Sequence, residues 1–278
     1  MHTKTGLRAS CALLIGAFVL LSTSVAISQA DDAQGAREDK PEAGVDGLST
    51  PSGPVYSYPV RPGSPEWKAL RSHAEMVEVC QVPEDILENM STAALVSTCL
   101  SYPLLGEIFA FNSTQDGIDT VTSRSNCLRA LLERPDAAEE LLQLYKRMSP
   151  SGFDKKLSLL EKGEYAMDLA YVEILLAQDS LLASLERNDR IVLLREYMKK
   201  LRSKNQYPEV YGHFSQTTVV FGMARTLSRI DPPNFRRKLN QDSKLERFIE
   251  ECGPLDKETA AEVVRNAEEF IESAFPLE

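Results

Sequence analysis

Six residues in one short stretch have the chemistry of a ligand pocket. Phe109 and Phe111 supply aromatic faces, and Asn112, Ser113, Gln115 and Asp116 follow with amide, hydroxyl and carboxylate groups. Rings that stack and polar groups that orient are common means of holding a sugar or a peptide. The same spacing suits a helix start, since Ser113 with Asp116 three residues on resembles a capping box with Asp in place of Glu. A second chemical set is carboxylic: Glu164, Asp168 and Glu173. Asp168 follows Glu164 by four residues and shares its helix face. Such groups can supply the acid and base for hydrolysing a glycosidic bond, or simply an ion-paired, solvated face.

Other chemistries find less support. After residue 30 the chain has only His73 and His213. A zinc site of three protein ligands would need Asp, Glu or Cys to complete it, and His73 and Cys80, seven residues apart, would lie about 10 Å apart along a helix. No metal site and no cofactor is expected. Tyr211-Gly212-His213-Phe214-Ser215 sets a histidine near a serine, with nothing to align a nucleophile with its base. The run Arg187, Arg190, Arg195, Lys199, Lys200, Arg202 and Lys204, followed by Arg236-Arg237-Lys238, reverses the local charge. It suits an anionic wall polymer or an acidic partner, or the ordinary preference of cations for helix ends.

The first 30 of the 278 residues read as a secretory signal peptide: Lys4 and Arg8, an apolar run from Cys11 to Leu21, then Ser28-Gln29-Ala30 as a cleavage site. The run is shorter than the roughly 20 residues of a membrane span, so no transmembrane anchor is expected in the mature chain. Cys11 precedes the apolar run instead of following it, which argues against a lipid anchor. Loss of Lys4 and Arg8 leaves 29 basic against 41 acidic residues, a formal charge of −12. That charge repels phosphate backbones, and no nucleic-acid partner is expected. Four cysteines remain: Cys80, Cys99, Cys127 and Cys252. In an exported chain they permit two disulfides in three connectivities, or free buried thiols.

The elements that must position these groups are helical. Residues 31–54, with six acids among Gly, Pro and Ser, read as a disordered acidic spacer, and Val55 to Pro62 as an extended arm. Ser64-Pro65-Glu66 opens a helix carrying Trp67, Leu70, Ala74 and Val77. Pro83 opens another, Ser91 caps a third, and Pro103 interrupts it. Ser113 caps a helix reaching about Glu133, and Pro135-Asp136 starts one ending near Met148. Glu164 to Lys204 predicts two long helices meeting near Asn188-Asp189, the first apolar on several faces and so central to the core. Gln216 to Phe221 has strand-like composition, but one isolated run gives a sheet nothing to pair with, and it is assigned to a helix. Helices over Ser243 to Glu251 and Asp256 to Phe275 complete an all-α array of short, proline-punctuated helices, forming a single domain over residues 55–278.

The stretch Pro59-Val60-Arg61-Pro62-Gly63-Ser64-Pro65-Glu66-Trp67, with Cys80-Gln81-Val82-Pro83, Tyr102-Pro103-Leu104-Leu105, Phe111-Asn112-Ser113-Thr114-Gln115-Asp116-Gly117 and Arg134-Pro135-Asp136-Ala137, resembles an uncharacterised family of exported helical proteins from Gram-positive bacteria. The resemblance covers roughly residues 59–148. It implies a bacterial extracellular setting and a helical fold, and it supplies no site residues. The expectation is therefore an exported, non-enzymatic module that binds a partner protein or a cell-wall glycan or peptide. The alternative is a small extracellular hydrolase whose carboxylates, Asp116 or Asp168, converge only in three dimensions.

Overall fold

The computed structural model describes residues 53–153 and 156–274. The expected signal peptide with Cys11, and residues 31–52 of the expected spacer, lie outside the described residues. Among those described there are fourteen α-helices, one 3-10 helix and no strand, the all-α architecture expected from the sequence.

Serine caps set the start of many helices by accepting a backbone N–H two or three residues on. Ser64 accepts from Trp67 at the start of α1 (Pro65–Ala69), and Ser72 from Glu75 at the start of α2 (His73–Val79). Pro83 precedes α3 (Glu84–Asn89), and Ser91 caps α4 (Thr92–Leu100). A 3-10 turn (Leu105–Ala110) follows Pro103. Ser113 caps α5 (Thr114–Arg124), and Ser125 ends α5 and caps α6 (Asn126–Glu133). The single helices expected over 64–77 and 113–133 are each two, because Ser72 and Ser125 offer the backbone a competing partner inside an otherwise helical pattern. After α7 (Ala137–Arg147), the connecting loop is pinned by Tyr165 Oη donating to the Ser149 carbonyl (2.7 Å) and Tyr211 Oη to that of Pro150 (2.7 Å).

The centre of the core is built from α8 (Leu159–Leu176), α10 (Arg187–Lys204) and α11 (His213–Ile230). The short helix α9 (Asp179–Ser184) separates α8 from α10, so the first long helix ends about ten residues before the expected junction at Asn188-Asp189. The strand-like run Gln216 to Phe221 lies wholly inside α11. Thr217 to Leu227 are buried without a break, as required of a helix surrounded on all sides. Gly222 permits this: a Cβ there would overlap the Tyr197 ring, so α10 and α11 meet at a contact closed to any side chain. The chain finishes with α12 (Pro233–Leu239), α13 (Ser243–Glu251) and α14 (Lys257–Ala274). No described helix is long and apolar enough to cross a membrane.

One charged group is fixed in the middle of this core. Glu173 of α8 is 0 % exposed, and both of its oxygens are occupied. Lys204 Nζ donates to them at 2.8 and 2.9 Å, Thr218 Oγ1 at 2.6 Å and Tyr145 Oη at 2.9 Å. Lys204 also donates to the Ser215 carbonyl at 3.0 Å. The carboxylate thus ties α7, α8, α10 and α11 together. A buried ion pair survives in low dielectric only with this degree of hydrogen bonding. Burial pulls the Lys204 ammonium down, and Glu173 opposes that shift.

Candidate functional site

The 3-10 turn and α5 approach each other so closely that only glycine fits at 117. A Cβ there would run into the Ile108 carbonyl, which fixes the turn on the first helical turn of α5. The next residue, Phe109, is held out from the turn toward α8 and α11. Its ring stacks on Tyr171 of α8 (centroids 5.8 Å apart, planes at 19°) and meets Phe214 of α11 edge-on (4.6 Å, 85°). Both are favourable aromatic geometries. Three elements distant in sequence therefore share one ring cluster. Phe214, at the edge of the cluster, is 41 % exposed, and Phe111, two residues beyond Phe109 at the end of the turn, is 36 % exposed.

Carboxylates lie beside the rings. Helix spacing puts Leu160, Glu164, Asp168 and Tyr171 on one face of α8, and Leu160 is 74 % exposed. Burial pushes the Asp168 carboxyl up to about 6, and the neighbouring Glu164 charge raises it further in the same direction. Tyr171 is pushed up to about 12, first by burial and then by Asp168. Tyr165, raised mainly by burial, also feels Asp168. A half-buried acid with a shifted pKa next to partly exposed rings is a combination that functional sites favour.

The six residues singled out between 109 and 116 divide between this cluster and helix architecture. Phe109 belongs to the ring cluster, and Phe111 is an exposed ring at the end of the 3-10 turn. Ser113 is buried and accepts the Asp116 N–H at 3.0 Å, so it is a helix cap. Gln115 Nε2 bridges Asp119 (2.8 Å) and Gln178 (3.0 Å), locking α5 to the end of α8. Asn112 and Asp116 are exposed. Asp116 and Asp168 are thus not paired through any hydrogen bond, and Glu173 is consumed in the core.

The other groups singled out by type have their own partners in the fold. The basic run does not make a surface stripe, because Lys200 and Lys204 turn inward. Lys200 is 2 % exposed, bonded to Glu196 at 3.2 Å and set over the Tyr145 ring at 4.6 Å. Arg202 pairs with Glu268 at 3.0 Å, and Arg187 lies over the Phe270 ring. His73 Nε2 is 2.9 Å from Glu107. Ser215 is buried while His213 beside it is exposed, so no nucleophile and base align there. All four described cysteines are free and buried. Neither of the two disulfides that the sequence permits joins them.

Two clefts lie away from the aromatic face. One of about 490 Å³ between α10 and α14 is lined by Arg195, Lys199 and Arg202 opposite Glu268 and Glu272. The other, of about 360 Å³, is bounded by Arg187, Phe235 and Phe270. The opposed charges in the first largely cancel. Tyr171 and Phe214, which complete the ring cluster, carry no local sequence signal, because each matters only through a neighbour more than forty residues away. No family model, curated protein or solved structure matches the chain.

Proposed function

We propose that this chain is an exported, non-enzymatic recognition module that binds a cell-wall glycan or peptide on the face formed by Phe109, Phe111, Tyr171 and Phe214. The observation that supports it is the Phe109 ring held between Tyr171 and Phe214, with apolar ring surface left open beside an acid at Asp168. Rings of this kind stack on sugar faces and apolar side chains, and a carboxylate accepts from hydroxyl, amide or amine groups.

The hydrolase alternative has one point in its favour, an acid pushed up to about 6, as a proton donor requires. Its weakness is geometric. Glycoside hydrolysis needs two carboxyl groups on opposite sides of the scissile bond. Glu164 and Asp168 project side by side from one helix face. Purified cell-wall sacculi sedimented with the full chain should carry it down, and Phe214→Ala and Phe111→Ala should leave it in the supernatant. The same incubation should release no new reducing ends. Retention of both variants on the sacculi would remove this face from the proposal.

A further inference from the structure

Helix α11 begins without a cap. Gly212 stands at its N-cap position, no side chain accepts from the first turn, and that turn holds no acid. The first intrahelical bond runs from the Gln216 N–H to the Gly212 carbonyl at 3.3 Å, which leaves the N–H groups of His213, Phe214 and Ser215 with no acceptor among the described residues. Such groups are normally taken up by a capping side chain, by water or by a ligand. The space in front of them is open. A Cβ added at Gly212 would meet no atom within 4 Å, and Gly212, His213 and Phe214 are all exposed.

A second group points to the same place. Ser215, the third residue of the helix, is only 5 % exposed, and its hydroxyl has no hydrogen-bond partner. An unpaired buried hydroxyl is costly and uncommon in a folded protein. Helical side chains lean toward the N-terminus, so this one is directed back at the open turn. Its own carbonyl is already used, accepting from Lys204 Nζ at 3.0 Å and Thr218 Oγ1 at 3.2 Å. The helix behind these donors is 18 residues long and buried continuously from Thr217 to Leu227, so little solvent screens the dipole whose positive end lies at this turn. Free N–H groups, a positive helix end and a spare hydroxyl are the chemistry of an oxyanion site.

We propose that this turn binds the free carboxylate of a peptide C-terminus, with the last side chain of that peptide lying on the Phe214 ring. The assignment rests on recognition at the aromatic face and names the end of the ligand that this face takes. Phe214 supplies both halves: its N–H belongs to the open turn, and its exposed ring lies 4.6 Å from that of Phe109. A peptide C-terminus likewise carries a carboxylate and a side chain on one carbon, whereas a neutral sugar offers a ring only its apolar face. An ionised acceptor makes shorter and stronger hydrogen bonds than a neutral amide does, so charge, not shape, decides the preference.

The test is a titration of the full chain with N-acetylalanylalanine and with its C-terminal amide, followed by nuclear magnetic resonance of backbone amides and aromatic rings. The carboxylate form is expected to bind about 5-fold tighter, with shifts at the amides of His213, Phe214 and Ser215. Gly212→Asp has room for its side chain and caps the turn from within; it should bind both forms equally, at the affinity of the amide. Gly212→Ala, which adds no acceptor, should keep the preference. Equal binding of the two forms to the unaltered chain, with ring shifts at Phe109 and Phe214, overturns the carboxylate site and leaves the aromatic face standing. If neither form shifts these signals, the site falls, and sedimentation with sacculi decides the face separately. A preference for glucuronate over glucose, with none between the peptide forms, overturns the peptide in favour of a sugar acid.

Discussion

Replacing Asp168 by Asn should make the protein more stable at neutral pH, and the size of the gain follows from where the carboxyl sits. Burial, reinforced by Glu164, raises this group from 3.8 to about 6. A raised carboxylate pKa means that the folded state holds the proton more tightly than the unfolded chain. The folded state is therefore favoured below pH 3.8, and that contribution is lost as pH rises through about 6. A shift of about two units, each worth about 1.4 kcal/mol, gives a penalty of about 3 kcal/mol above pH 6, trimmed to about 2 by the solvent that still reaches the group. Asparagine cannot ionise and escapes it. Urea unfolding of both proteins across pH should show a difference that grows from about pH 4 and levels above about pH 6. A fixed offset from asparagine packing leaves that shape unchanged. A pH-independent difference, or one shrinking as pH rises, would refute the reasoning.

Lys204→Met should cost about 3–5 kcal/mol, because it leaves Glu173 buried with only its Thr218 and Tyr145 donors. Pairing it with Glu173→Leu should restore most of that loss in urea melts. Gly117→Ala should cost at least the 1–3 kcal/mol of ordinary overpacking, since the obstacle is the Ile108 backbone and not a movable side chain. Near-UV circular dichroism of that variant should change as Phe109 is displaced from Tyr171.

Much of the fold is legible in the sequence because its stops are local. Ser64, Ser91, Ser113, Pro83 and Pro135 announce helix starts by their own chemistry, and Leu169, Val172, Ile174, Leu175 and Leu176, apolar on more than one face, mark α8 as central. Ser72 and Ser125 escape notice because they sit inside periodic apolar patterns that read as continuous helix. The basic run Arg187 to Lys204 misleads for a different reason. Charge along a sequence does not reveal direction, and Lys200 and Lys204 point toward Tyr145 and Glu173 on elements far away in the chain. The candidate site is half legible. Phe109, Phe111 and Asp168 stand out by type, but their company depends on Tyr171 and Phe214 meeting across α8 and α11, which no local spacing encodes. The same holds for the cysteines: their even number suggests pairs, and only the fold shows all four as free buried thiols.

The most direct measurement is a nuclear magnetic resonance titration of the full chain, labelled on its backbone amides and on its phenylalanine and tyrosine rings, with soluble cell-wall fragments. Shifts concentrated at Phe109, Phe111, Tyr171 and Phe214, and abolished in Phe214→Ala, are the result predicted by recognition on the aromatic face. Shifts confined to backbone probes along Arg195, Lys199 and Arg202, or none at all at saturating fragment, would contradict it.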